Sequence, residues 1–173
     1  MMFLHFVVGK DSYVLDVAQI VEVVPYVTLK NIPRAPGYVA GLLNYRGKSV
    51  PVIDLTALMT GRVSRSWLSS RIILVNFHGE NEGPPIFALL AERVSTTIKF
   101  PESDFYPAGV DAGDTEFLGD VAIYQGNIIQ RINIGKLLPV QVYRALFPSG
   151  DEIGSVASDS EGYVSDGGDR SPA

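Results

Sequence analysis

Turn residues divide this chain into short apolar runs, and that division decides its fold class. Runs rich in β-branched and aromatic residues recur at roughly 8–12-residue spacing, with Gly, Pro, Asp and Asn between them. Residues 3–8 and 13–17 read as a hairpin joined at Gly9-Lys10-Asp11-Ser12. Residues 18–24 continue until Pro25, and 27–29 form a short strand. Two prolines, Pro33 and Pro36, hold the next loop extended. Residues 38–40 read as one helical turn. Strands follow at 71–77, 86–90, 93–98, 117–124 and 128–132, with short helices at 133–138 and 142–147. The pattern is mainly β, a barrel or a sandwich. The two halves also rhyme: Val52-Ile53-Asp54-Leu55 leads into Ala57-Leu58, as Arg131-Ile132-Asn133-Ile134 leads into Leu137-Leu138.

The most informative stretch is 41–55. Residues 42–45 are extended, Arg46-Gly47-Lys48 is a turn, and 50–53 is a second strand, with Gly47 supplying the backbone freedom of a tight reversal. Pro51 cannot donate to a ladder, so this strand is an edge, or bulged, near its start. Asp54 is placed to cap a helix from Leu55 that Gly61 closes. Gly41 with Gly47-Lys48-Ser49 imitates a phosphate-binding loop, but five residues intervene where four are needed, and a strand follows instead of a helix.

Charge narrows the partners. Residues 1–148 hold 13 acidic and 13 basic side chains, whereas 149–173 hold six acids against Arg170 and carry the whole net charge of -5. A neutral, apolar body has no basic field for phosphate backbones, so nucleic acid is not an expected partner. No run approaches the ~18 apolar residues of a membrane span, and the N-terminus reads as a first strand, not a leader. With no cysteine there is no thiolate chemistry, which fits a cytoplasmic protein. Ser, Gly, Asp and Glu dominate 149–173, so the domain is expected at 1–148 and a disordered acidic tail at 149–173. Tyr163-Val164 is the tail's one late apolar pair.

Chemistry finds little to stand on. His5 and His78 are isolated, so no metal site is expected, and no nucleophile elbow is present. Asp104, Asp111, Asp114 and Glu116 lack the ordered spacing of a calcium loop. Trp67, among Arg62, Arg65 and Arg71, is either an exposed binding handle or a cap on the core.

On these residues the chain resembles the CheW-like family of bacterial chemosensory coupling proteins. The resemblance spans residues 3 to about 138 and is strongest in Gly-x-x-Asn-x-Arg-Gly-x-x-x-Pro-Val-Ile-Asp-Leu over 41–55. It implies two five-stranded SH3-like barrels around a shared core, no catalytic activity and no cofactor. It also implies an adaptor that joins the helical tip of a chemoreceptor to the regulatory domain of a CheA-type histidine kinase, without inserting in a membrane. The matching groove positions are Ile20, Val23, Phe87, Leu89 and Val94, with Arg46 at the Arg-Gly position. Glu22 is expected to form a partly buried pair with Arg46, and Glu22, Gly47, Pro51 and Asp54 are expected to be structural. Glu92-Arg93 stands where the family usually has Asp-Gly, residues 80–84 lengthen one hairpin, and the tail is extra. A non-flagellar output (type IV pili or second-messenger synthesis) and a small-ligand sensor with a pocket between the barrels are the alternatives.

Overall fold

The computed structural model describes residues 1–77, 86–109, 113 and 115–146. The order of elements is β1 (Met2–Val8), β2 (Asp11–Asp16), β3 (Ile20–Pro25), β4 (Val39–Tyr45), β5 (Lys48–Asp54), α1 (Leu55–Thr60), β6 (Arg71–Asn76), β7 (Ile86–Ala91), β8 (Arg93–Lys99), β9 (Leu118–Tyr124), β10 (Asn127–Ile132) and α2 (Val140–Leu146). Single 3-10 turns lie at Val17–Gln19, Glu102–Asp104 and Ile134–Lys136. The strands form two five-stranded sheets, ordered β8-β1-β2-β10-β9 and β3-β6-β7-β5-β4. The expected tail, the 80–84 insertion, His78, Asp111 and Asp114 lie outside the described residues.

Three apolar cores explain why so many strands lack polar alternation. Phe3, Val14, Ile98, Phe100, Ala122 and Ile129 fill the first barrel. Leu43, Val50, Val52, Ile72, Leu74, Ala88 and Leu90 fill the second. Between them, Leu4, Phe6, Val8 and Leu15 of one sheet meet Ile53, Ile73, Val75, Phe87 and Leu89 of the other. Alternate residues of β6 and β7 therefore face a barrel interior and the shared core, so both faces are apolar and the runs read as continuous.

The chain is a duplicated unit with exchanged hairpins. Each sheet contains one parallel pair, β10 with β2 and β5 with β7. Tyr45 corresponds to Tyr124 and Asp54 to Asn133, an offset of 79 residues. Both hairpin turns have positive φ at both central residues, 51° and 79° at Arg46-Gly47 and again at Gln125-Gly126, the turn whose twist matches paired strands. The first edge strand of each sheet is bulged at the same place, between Ile20 and Glu22 in β3 and opposite His5/Phe6 in β8. The segment after each of these strands then bridges back to the other edge, Lys30 to Leu42 and Tyr106 to Val121. Each barrel thus takes a hairpin from one half of the chain and three strands from the other.

Two local expectations change. Residues 38–40 are not a helical turn, because Val39 already begins β4. Residues 27–29 form no strand; the only pairing there is Lys30, which exchanges both backbone hydrogen bonds with Leu42 at 2.9 and 2.8 Å. Gly41, at φ 144°, permits that approach, since a Cβ there would sit 2.5 Å from the Lys30 carbonyl oxygen. The start of β5 has only β4 beside it, because the ladder to β7 begins at Val52↔Ala88. Pro51 therefore loses no bond on that open side.

Candidate functional site

The corner at 41–55 is held by side chains that its own sequence supplies. The Asn44 side-chain oxygen accepts from the Gly47 N–H at 3.0 Å and fixes the turn. Buried Asp54 caps α1, one carboxylate oxygen accepting from the Ala57 N–H at 3.0 Å and from the Ser64 hydroxyl at 2.5 Å. Its other oxygen accepts from the Ser64 N–H at 2.8 Å. Asp54 therefore ties the helix to the connector that follows it.

Arg46 does meet Glu22, at 3.4 Å, but the side chains are 77% and 39% exposed. The expected partly buried pair is a surface pair, of the kind worth ~0–1 kcal/mol. The stronger partner of Glu22 is Tyr45, whose hydroxyl donates to the carboxylate at 2.5 Å while the Arg46 guanidinium lies 5.1 Å from the Tyr45 ring centre. That hydrogen bond, and then desolvation, raise the Tyr45 hydroxyl above its ordinary value. Since β3 and β4 are the two edges of the second sheet, this contact closes the barrel across its seam. Tyr45 was not singled out in the sequence; its place next to Arg46, the expected partner of Glu22, was the available signal.

The expected groove residues separate into two groups. Ile20 and Val94 occupy equivalent places in the two halves, each beside the bulge of its edge strand, and both pack half-buried on the shared core. Val23 is exposed and stands opposite Ile73, so it lies on the face that carries the shared core. Phe87 and Leu89 are fully buried inside that core and offer no surface. Their expected place on a groove is corrected: the neighbours that cover them are the strands of the opposite barrel.

A second polar centre lies where β7 passes into β8. Glu92, only 4% exposed, accepts from the Arg62 guanidinium at 3.0 and 3.5 Å and from the Arg65 N–H at 2.6 Å. Burial pushes the Glu92 carboxyl up, but the Arg62 guanidinium, the Arg65 N–H and Trp67 together hold it below the ordinary glutamate range. The Ser69 and Ser70 hydroxyls donate to the Glu92 carbonyl, so the connector 62–70 is fastened along its length. Glu92 thus adds no bulk to a groove; its side chain is used inward. A lone carboxylate between two apolar strands was the sequence signal for it.

Among the described residues no cluster of three or more His, Asp or Glu could hold a metal, and no helix is long and apolar enough to cross a membrane.

Comparison with known proteins agrees with this architecture. The CheW-like domain model matches residues 2–142. The chain is 25% identical over 138 residues to the chemotaxis protein CheW of Klebsiella aerogenes, covering 79% of this chain and 80% of that one. It is 28% identical over 148 residues to the protein FrzA of Myxococcus xanthus, covering 83% and 89%. It also superposes on the crystal structure of the scaffolding protein TtCheW from Thermoanaerobacter tengcongensis with a TM-score of 0.72 at 28% identity, covering 84% of this chain and 92% of the other. With its paired five-stranded sheets, its Asn44-Tyr45-Arg46-Gly47 corner and a family match across both barrels, this chain belongs to the CheW-like domain family.

Proposed function

We propose that this chain is a non-catalytic, cytoplasmic adaptor that joins the cytoplasmic tip of a chemoreceptor to the regulatory domain of a CheA-type histidine kinase. The observation that supports the reading is that Ile20 and Val94 sit half-buried at the edge of the shared core and Val23 is exposed on that same face of its sheet. A strip of branched aliphatic side chains along these edge strands suits the apolar face of a receptor helix. The shared core itself is packed with side chains, and the cleft of about 830 Å³ at its edge, between Tyr13, Leu118, Tyr38, Leu58 and Met59, is open to solvent and not a closed cavity, which favours an adaptor over a small-ligand sensor.

The test is a titration of the protein against a receptor-tip fragment and against the kinase regulatory domain. Val23→Asp is the variant to use, because its side chain is already exposed. Receptor binding is expected to weaken at least ~10-fold, as for an interface anchor, with the melting temperature and kinase binding unchanged. Unchanged receptor affinity would remove the strip from the interface.

A further inference from the structure

The connector 61–70 presents an apolar point that the adaptor reading does not use. Leu68 is 99% exposed and Trp67 44% exposed, although the turn beneath them is firmly held. The Trp67 N–H donates to the Ser70 hydroxyl at 2.9 Å, and the Ser70 N–H donates to the Trp67 carbonyl at 3.0 Å. The Arg71 guanidinium donates to the Leu68 and Ser70 carbonyls at 2.6 and 2.8 Å. The Ser69 and Ser70 hydroxyls tie the turn to the Glu92 carbonyl from the inner side. A leucine left in water on a preorganised turn loses little conformational freedom when it is covered, which is how anchor residues behave.

The rim of this point is basic. Arg62 and Arg65 flank it on the connector, Arg71 starts the next strand, and Arg93 follows Glu92. The Ser69 carbonyl accepts from the Val94 N–H at 3.1 Å, which brings the Arg93 end of β8 against the turn. Among the described residues Arg65, Arg71 and Arg93 form no ion pair, and Glu92 is engaged by Arg62. The surface therefore asks for an acidic segment with a small apolar anchor.

The chain itself carries one. Residues 149–173 hold six carboxylates, one arginine and the pair Tyr163-Val164. We propose that this acidic tail docks on the arginine-rimmed Trp67-Leu68 turn, with Tyr163-Val164 against the two apolar side chains. Sixteen residues lie between the end of α2 at Leu146 and Tyr163. A flexible chain of that length has a mean span of about 20–25 Å and a far longer maximum reach, which matches the dimensions of a domain of this size. Tethering supplies an effective concentration on the order of mM, so a weak contact is enough to keep the turn covered. The tail then acts as an internal competitor for any acidic protein that uses the same anchor.

Trp67 is the only tryptophan and reports directly on this contact. The experiment uses the full chain at low ionic strength and follows Trp67 emission and its quenching by acrylamide. One variant replaces all six tail carboxylates by the corresponding amides, a second is Tyr163→Ser with Val164→Ser, and a third is Arg65→Glu with Arg93→Glu. The unaltered protein is expected to show a blue-shifted, protected tryptophan. Each variant should shift emission to the red and raise quenching about twofold, and salt should bring the unaltered protein toward the amide variant. Identical emission and quenching in the unaltered and tail variants would overturn the proposal. Protection that rises with protein concentration would place the tail on a second copy and overturn docking within one chain. Protection that appears only on adding a separate acidic protein would overturn the tail as occupant.

Discussion

The two halves of the chain use the same backbone and stabilise it with different chemistry. In the first half, Asp54 ends β5 buried and accepts three hydrogen bonds, fastening both α1 and the connector. In the second, its counterpart Asn133 is exposed and makes no side-chain cap bond, and one 3-10 turn replaces the helix. At the crossing between barrels the asymmetry reverses. Asp16 caps the first crossing through the Ala18 N–H at the surface, whereas Glu92 holds the second from inside. A duplicated fold needs each junction fixed, but it does not need the same residue to fix it; the two buried carboxylates, one from each half, are the ones that also hold the 62–70 connector.

The comparison can be broken most directly at the caps. Asp54→Ala strands the Ala57 and Ser64 donors and is expected to cost about 2–3 kcal/mol in urea unfolding. Asn133→Ala should cost under ~0.5 kcal/mol, the range of a surface change away from special features. Equal losses would show that the second half leans on Asn133 in a way its geometry does not reveal.

Glu92→Gln comes next. At neutral pH it should cost about 1–3 kcal/mol by unpairing Arg62 and weakening the acceptor for Arg65. Because the folded carboxyl titrates below its ordinary value of 4.5, its contribution is fully present above that value and is lost as pH falls through the depressed one. The gap between the unaltered protein and the glutamine variant should therefore close on acidification. A gap constant with pH would assign the effect to packing.

The smallest effect is expected at the turns. Arg46→Ala and Gln125→Ala occupy the same backbone site, and each should change stability by less than ~1 kcal/mol. A much larger loss at Arg46 would restore the idea of a structural pair with Glu22. Weaker partner binding with an unchanged melting temperature would make Arg46 a direct contact.

Much of this was legible in the residues. Gly-marked turns, a capping Asp before Leu55 and closely spaced β-branched runs led to a mainly β fold, the family resemblance supplied its two barrels, and Asp54 and Gly61 bound α1 where the spacing put it. What could not be read was partnership. Ser12 pairs with Ile129 and Phe3 with Ile98, and no local pattern records a contact between strands so far apart in sequence. The misplacement of Phe87 and Leu89 has the same origin: β7 is apolar on both faces, so alternation could not say which face was covered. Glu92 and Tyr45 were hidden because a polar group's role depends on the neighbours that the fold brings to it.

The exchange of hairpins also has a consequence in time. Synthesis delivers β1 and β2 first, but their flanking partners β8 and β10 end at Lys99 and Ile132. The second barrel, continuous from Ile20 to Ala91, can close while the opening hairpin still waits. At ribosomal rates of roughly 5–20 residues per second, Phe3 and Val14, which pack on Ile98 and Ile129, wait on the order of 6–25 seconds for β10. Within this domain the strands made first are the last to have their barrel face sheltered.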